Sequence, residues 1–380
     1  MQDQWSEVDK NQHGIPRVSG GTADKSEQAR VKEQKQIEQY QRLEADVILR
    51  IKSKDYSNDT FQATSQLLSQ NPEYYTIWNH RRRLLQDVFA KERDRKEDAD
   101  AADTEAAERE GLTSPQREIS LLVKEDLHFL VPLLRQYPKC YWIWNHRSWL
   151  LGTATRLLPS HTATELWQGE LGLVSKMLSL DSRNFHGWGY RREVVKEIER
   201  MSTSSMVEKE FSYTTKMVQS NLSNFSAWHY RSQLIPHLLA ERQADCDARK
   251  NFLDGEFELI TKALYTDPYD QSLWFYHHYL MSTLDPTNSQ APAILDPCTD
   301  AERSYYYEQE LENVRDMLDG AEDCKYIYQS LLELSQQLRQ LDAGNQAVIK
   351  GELTAWLSQL LKIDSLRQGR WRDLELKLKL

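Results

Sequence analysis

Apolar positions along this chain follow the period of amphipathic helices, and the helices come in pairs. One member of each pair repeats an aromatic signature five times. Residues 120–134 typify the first member, with Leu127, Leu130, Val131 and Leu134 at helical spacing among charged neighbours. Equivalent stripes are Phe61, Thr64 and Leu68; Leu166, Leu171, Val174 and Leu178; Phe211, Met217 and Val218; and Phe257, Ile260 and Leu264. The second member opens on a polar, aromatic turn and runs NPEYYTIWNHRRRLL, YPKCYWIWNHRSWLL, DSRNFHGWGYRREVV, NLSNFSAWHYRSQLI and DPYDQSLWFYHHYLM, which aligns Trp78, Trp144, Trp188, Trp228 and Trp274. Three positions after each ring stands Arg81, Arg147, Arg191, Arg231 or His277; seven after it stands Leu85, Leu151, Val195, Ile235 or Met281. Ring, cation and apolar side chain therefore share one helical face, widened by Leu84, Leu150, Val194, Leu234 and Leu280.

Each unit predicts helix, short turn, helix. Pro72, Pro138 and Pro268 stand where the first helix should stop, and Asn184, Asn224 and Asp270 are placed to cap the second. The tryptophans follow one another at 66, 44, 40 and 46 residues. Recurrence at that length belongs to helical-pair repeats, whose units bury their apolar faces only by stacking on neighbours. The expected fold is an all-α solenoid of stacked antiparallel helix pairs, one superhelical domain over residues 26–380. Residues 1–25 read as a disordered tail around the stretch His13–Pro16, and Arg30–Lys54 as a first long helix. The charged, Ala-rich stretch 91–115 reads as an insertion that lengthens the first spacing, and 285–300 as a loop. Tyr328 falls where a sixth ring would stand, so a degenerate sixth unit and a capping helix close the chain.

Composition narrows the function. Forty-eight basic against 58 acidic residues, a net charge of −10, argue against nucleic acid as a partner. Cys140, Cys246, Cys298 and Cys324 lie far apart, which implies neither a disulfide framework nor a zinc cluster and suits a reducing cytoplasm. No apolar run is long enough to insert in a membrane, and the N-terminal region is polar rather than signal-like. His80, His146, His229 and His277 fall inside the repeat and read as packed side chains rather than metal ligands. The repeated tryptophans read as core, and the repeated arginines as clamps that need carboxylates or helix-end carbonyls. The position five before the ring, by contrast, varies freely: Glu73, Lys139, Arg183, Ser223 and Tyr269.

The pattern of Asn or Asp, often Pro, an aromatic residue, Trp, two variable residues and Arg resembles the protein prenyltransferase alpha-subunit repeat. NFHGWGYRR, NFSAWHYRS and DPYDQSLWFYHH are most similar to the type II, Rab-directed geranylgeranyltransferase branch of that family. The resemblance implies a right-handed, crescent-shaped superhelix that wraps a beta subunit. It implies that the beta subunit holds the zinc and the isoprenoid pocket, and that this chain binds no cofactor of its own. It further implies geranylgeranyl diphosphate as donor, Rab GTPases as acceptors and a Rab escort protein to present them. Residue by residue, Pro138, Lys139, Cys140 and Tyr141 match a family PKxY sequence whose lysine contacts the isoprenoid diphosphate, which makes Lys139 the candidate catalytic residue. Asn184, Phe185 and His186 match a stretch beside the same pocket, so Tyr141, Asn184 and His186 are candidates for the diphosphate's vicinity; Phe185 lacks the tyrosine hydroxyl that farnesyl-type chains carry there. His13 resembles an N-terminal HisGly pair able to approach the partner's zinc, although twelve residues precede it here. Two other readings stay open: an alpha subunit serving CaaX proteins directly, through farnesyl or type I geranylgeranyl transfer, and a non-catalytic helical scaffold.

Overall fold

The computed structural model describes residues 27–94, 111–288, 291–341 and 346–378. The expected tail 1–25 with His13, and residues 95–110 of the charged insertion, lie outside the described residues. Two compact units divide between Ser204 and Ser205. The first contains α1 (Glu27–Lys52), α2 (Asn58–Gln70), α3 (Tyr75–Asp94), α4 (Ser114–Gln136), α5 (Tyr141–Leu157), α6 (Ser160–Leu180) and α7 (Phe185–Ser202). The second contains α8 (Val207–Ser220), α9 (Phe225–Glu241), α10 (Cys246–Thr266), α11 (Gln271–Ser282), α12 (Asp300–Asp316), α13 (Lys325–Leu341), α14 (Gln346–Ile363) and α15 (Gln368–Leu378). The fold is all-α, and no strand occurs among the described residues.

Local chemistry sets the helix ends. Lys54 takes a left-handed φ of 55°, so α1 stops short of the expected boundary, and Ser57 caps α2 by accepting from Thr60 N. Thr113 and Thr299 form capping boxes with Gln116 and Glu302, which fix the starts of α4 and α12. Asn184, Asn224 and Asp270 each accept backbone N–H groups at the first turn of α7, α9 and α11. Helices α2, α4 and α10 end just before the turns that contain Pro72, Pro138 and Pro268.

Within the first unit α2 packs on α3, α4 on α5 and α6 on α7, and successive pairs touch through α3 with α4 and α5 with α6. In the second unit α8 packs on α9, α10 on α11 and α12 on α13, with α14 packed on α13 and α15 on α14. Leu67, Val123, Leu130, Ile143, Leu150 and Val174 are fully buried between the helices of the first unit. Ile235, Ile260, Leu264, Leu273 and Leu331 play the same part in the second. Each such side chain contributes about 1.5–3 kcal/mol by leaving water. No described helix is long and apolar enough to cross a membrane.

Candidate functional site

All five tryptophans are buried, and each indole is anchored by one rule. Its Nε1–H donates to the carbonyl six residues upstream: Trp78 to Pro72 at 2.8 Å, Trp144 to Pro138 at 2.9 Å, Trp188 to Ser182 at 2.9 Å, Trp228 to Leu222 at 2.8 Å and Trp274 to Pro268 at 2.7 Å. Tyr328 takes the sixth place, its hydroxyl donating to Glu322 O at 2.8 Å. Three of these carbonyls accept a second bond from the cap position of the next unit. Cys140 Sγ donates to Pro72 O at 3.3 Å, Asn184 Nδ2 to Pro138 O at 2.9 Å and Cys324 Sγ to Pro268 O at 3.0 Å. Burial pushes the Cys140 thiol up to about 11, so it stays protonated and keeps donating. Successive turns are thereby tied to one another, and the Pro138–Lys139 turn is held from both sides.

Three of the arginines meet buried carboxylates on the first helix of the following unit. Arg81 Nε donates to Asp126 Oδ1 at 2.9 Å, Arg147 Nε to Glu170 Oε2 at 2.9 Å and Arg231 Nε to Glu256 Oε2 at 2.8 Å. His277 replaces the guanidinium at the last joint and faces Glu310 at 2.8 Å. Remaining guanidinium donors go to Thr64 and Ser65 for Arg81, to Leu127 O for Arg147, to Ser175 for Arg191 and to Thr215 for Arg231. Thr64, read from sequence as part of an apolar stripe, is thus a polar ligand of Arg81. Each carboxylate also accepts from the residue two positions after the next ring: His146 to Asp126 at 2.7 Å, Tyr190 to Glu170 at 2.6 Å and Tyr276 to Glu256 at 2.5 Å. Arg82 Nε donates to His146 Nδ1 at 3.3 Å, which leaves the proton on Nε2 for Asp126. Desolvation would raise the Asp126 carboxyl, but Arg81 and His146 outweigh it and hold it near 2.

Sequence reasoning missed these carboxylates because an acid in an amphipathic helix looks solvated. The signal was present nonetheless: Asp126, Glu170, Glu210, Glu256 and Glu310 each stand eighteen positions before the next ring, and all five are buried.

On this frame the first unit presents an exposed row. Tyr75, Tyr141 and Phe185 stand three positions before their rings and point outward, Phe185 with 70% of its surface open. Lys139 is exposed on its tied turn, and among the described residues no carboxylate pairs with it. His186 is half-buried in the first turn of α7, with its ring 6.2 Å from that of Tyr141 and 4.1 Å from that of Phe185. Burial lowers the His186 imidazole; the Glu73 carboxylate opposes that effect and the Lys139 ammonium adds to it. Lys139, Tyr141 and His186 therefore share one surface. Asn184 lies beneath it, 4% exposed, its Oδ1 accepting from His186 N and Gly187 N while Nδ2 reaches Pro138 O. The arrangement can offer an ammonium, an imidazole and a phenol to an anion. No group of three or more His, Cys, Asp or Glu side chains suits a metal ion among the described residues.

Stacked helix pairs locked turn to turn define an α-helical repeat protein. The repeat is that of the protein prenyltransferase alpha subunit, matched at residues 57–88, 123–154, 167–198, 207–238 and 253–284. The chain is 32% identical to the geranylgeranyl transferase type-2 subunit alpha of Candida albicans, over 95% of this chain and 97% of that one. It is 34% identical to the subunit of the same name in Schizosaccharomyces pombe, over 96% and 98% of the two chains. The Dictyostelium discoideum subunit is 32% identical, over 96% of this chain and 100% of that one. Among solved structures, a chain of Candida albicans protein geranylgeranyltransferase-I complexed with GGPP shares the fold, with a TM-score of 0.57 at 18% identity over 90% of each chain. The protein belongs to the prenyltransferase alpha-subunit family, in its geranylgeranyl transferase type-2 branch.

Proposed function

We propose that this chain acts with a prenyltransferase beta subunit to move a geranylgeranyl group from geranylgeranyl diphosphate to C-terminal cysteine thiols of Rab GTPases, presented by an escort protein in the cytoplasm. One observation carries the assignment of roles: an exposed Lys139 on a turn tied at Pro138 O by two hydrogen bonds, beside Tyr141 and His186. In the reaction the allylic carbon–oxygen bond breaks as the carbon–sulfur bond forms, and the electron pair leaves on the diphosphate. The Lys139 ammonium stabilises that charge more as it accumulates than in the ground state, so it lowers the barrier rather than tightening binding. Tyr141 and His186 add donors to the same oxygens, and Asn184 holds the turn that aims them. A zinc ion held by the beta subunit would supply the charge that favours the thiolate of the acceptor cysteine. The exposed rings Tyr75, Tyr141 and Phe185 give that partner an apolar seat.

The test uses the chain co-expressed with its beta partner. Lys139→Ala should reduce the single-turnover rate constant about a hundredfold, while the heterodimer still forms on a sizing column. Unchanged single-turnover chemistry would remove Lys139 from the mechanism. Transfer to CaaX-ending proteins without an escort would redirect the substrate assignment.

A further inference from the structure

A chain of hydrogen bonds runs from the buried clamp of the first unit to the surface that carries Lys139. Asp126 accepts from His146 Nε2 at 2.7 Å, and His146 Nδ1 accepts from Arg82 Nε at 3.3 Å. Arg82 lies half-buried on α3, its guanidinium 5.6 Å from the centre of the Trp149 ring, and its Nη2 donates to Asn145 Oδ1. Asn145 Nδ2 donates in turn to the Tyr141 hydroxyl, one helical turn earlier on α5, at 3.2 Å. The scaffold requires neither residue. Positions equivalent to Asn145 hold Asn79, Gly189, His229 and Phe275, and those equivalent to Arg82 hold Ser148, Arg192, Ser232 and His278.

Donor and acceptor chemistry gives this chain one direction. A guanidinium has only donors, so the Asn145 atom that faces Arg82 is the oxygen and the other is the amide nitrogen. That nitrogen can only donate, so the Tyr141 oxygen accepts from it and the phenolic hydrogen turns elsewhere. Tyr141 is exposed on the surface it shares with Lys139 and His186, its ring 6.2 Å from that of His186. We propose that Arg82 and Asn145 are positioning residues for the transfer reaction: they hold the Tyr141 hydroxyl as an acceptor on its inner side, so that its hydrogen is presented to a diphosphate oxygen. The inference rests on the function proposed above, which gives Tyr141 a donor's part, and adds what fixes that part. The accepted amide bond also polarises the phenol and strengthens it as a donor.

Asn145→Asp reverses the direction with little change of shape. A carboxylate still accepts from Arg82, but towards Tyr141 it can only accept, so the phenolic hydrogen turns inward. In the assembled heterodimer, with geranylgeranyl diphosphate and a Rab acceptor, Tyr141→Phe should lower the single-turnover rate constant about tenfold, the weight of one hydrogen bond to a charged group. Asn145→Asp should lower it as much, and adding Asn145→Asp to Tyr141→Phe should slow it no further. Arg82→Leu, which lets the Asn145 amide turn over, should give a smaller loss of about threefold, again absent in the Tyr141→Phe background. A side chain that merely supported the fold, or an added negative charge acting by itself, would slow both backgrounds alike. The Raman doublet of Tyr141, isolated as the difference between the full chain and its Tyr141→Phe variant, should report an accepting phenol in the wild type and a donating one in Asn145→Asp. Wild-type rates in Asn145→Asp where Tyr141→Phe is slow, equal slowing in both backgrounds, or a doublet that does not change would overturn the inference. Failure of the underlying function looks different: Lys139→Ala and Tyr141→Phe would both leave single-turnover chemistry unchanged while the doublet still switched in Asn145→Asp.

Discussion

Asp126 shows how much of this protein depends on single buried charges. Its oxygens accept from Arg81 and from His146, and neither partner has water to fall back on. Asp126→Ala should therefore cost about 3–5 kcal/mol, because it leaves an uncompensated guanidinium in the core. Urea denaturation of the two proteins measures the difference, and a loss below about 1 kcal/mol would contradict the clamp. The same carboxylate gives an acid dependence. Its folded value lies near 2, below the unfolded value of about 3.9, so its contribution is complete above roughly pH 5 and fades as pH falls towards 2. In Asp126→Asn that part of the acid loss should be missing. An equally steep fall between pH 5 and 2 in the variant would place the acid sensitivity elsewhere.

Among the elements, the tied turn connects architecture with chemistry. Asn184 caps α7 with its Oδ1 and braces Pro138 O with its Nδ2, two jobs that substitution can separate. Asn184→Ala loses both and should cost about 2 kcal/mol, whereas Asn184→Asp keeps the cap and loses only the brace, for about 1 kcal/mol. Both variants should also slow single-turnover transfer several-fold, through a Lys139 turn that wanders. Wild-type rates in a folded Asn184→Asp heterodimer would show that the brace does not aim the lysine. Helix pairs, ring positions and caps were all legible in the sequence, since they depend on periodicity and on local backbone needs. The bracing was not, because Cys140 and Asn184 reach carbonyls 68 and 46 residues away, and nothing in a linear pattern marks which carbonyl a cap's spare donor will find.

For the molecule as a whole, order should follow the stacking of units. Helix α1 buries Val47 but leaves Val31, Ile37 and Leu49 exposed, while α4 buries Ile119, Val123, Leu127, Leu130, Leu133 and Leu134. Amide exchange should thus be fast over residues 27–40 and slow through 119–134; equal protection in both would mean that α1 has a cover the chain itself does not supply. Taken alone, the sequence determined the all-α class, the repeat and its aromatic anchors. It could do so because helical period and turn chemistry are local, and five aligned copies separate what the scaffold requires from what it leaves free. Only the tertiary structure decided which carboxylates answer Arg81, Arg147 and Arg231, that Thr64 is a ligand rather than core, and that Lys139, Tyr141 and His186 share a surface. Those are contacts between side chains far apart in the chain, and only the stacking of one unit on the next brings them within hydrogen-bonding or electrostatic reach.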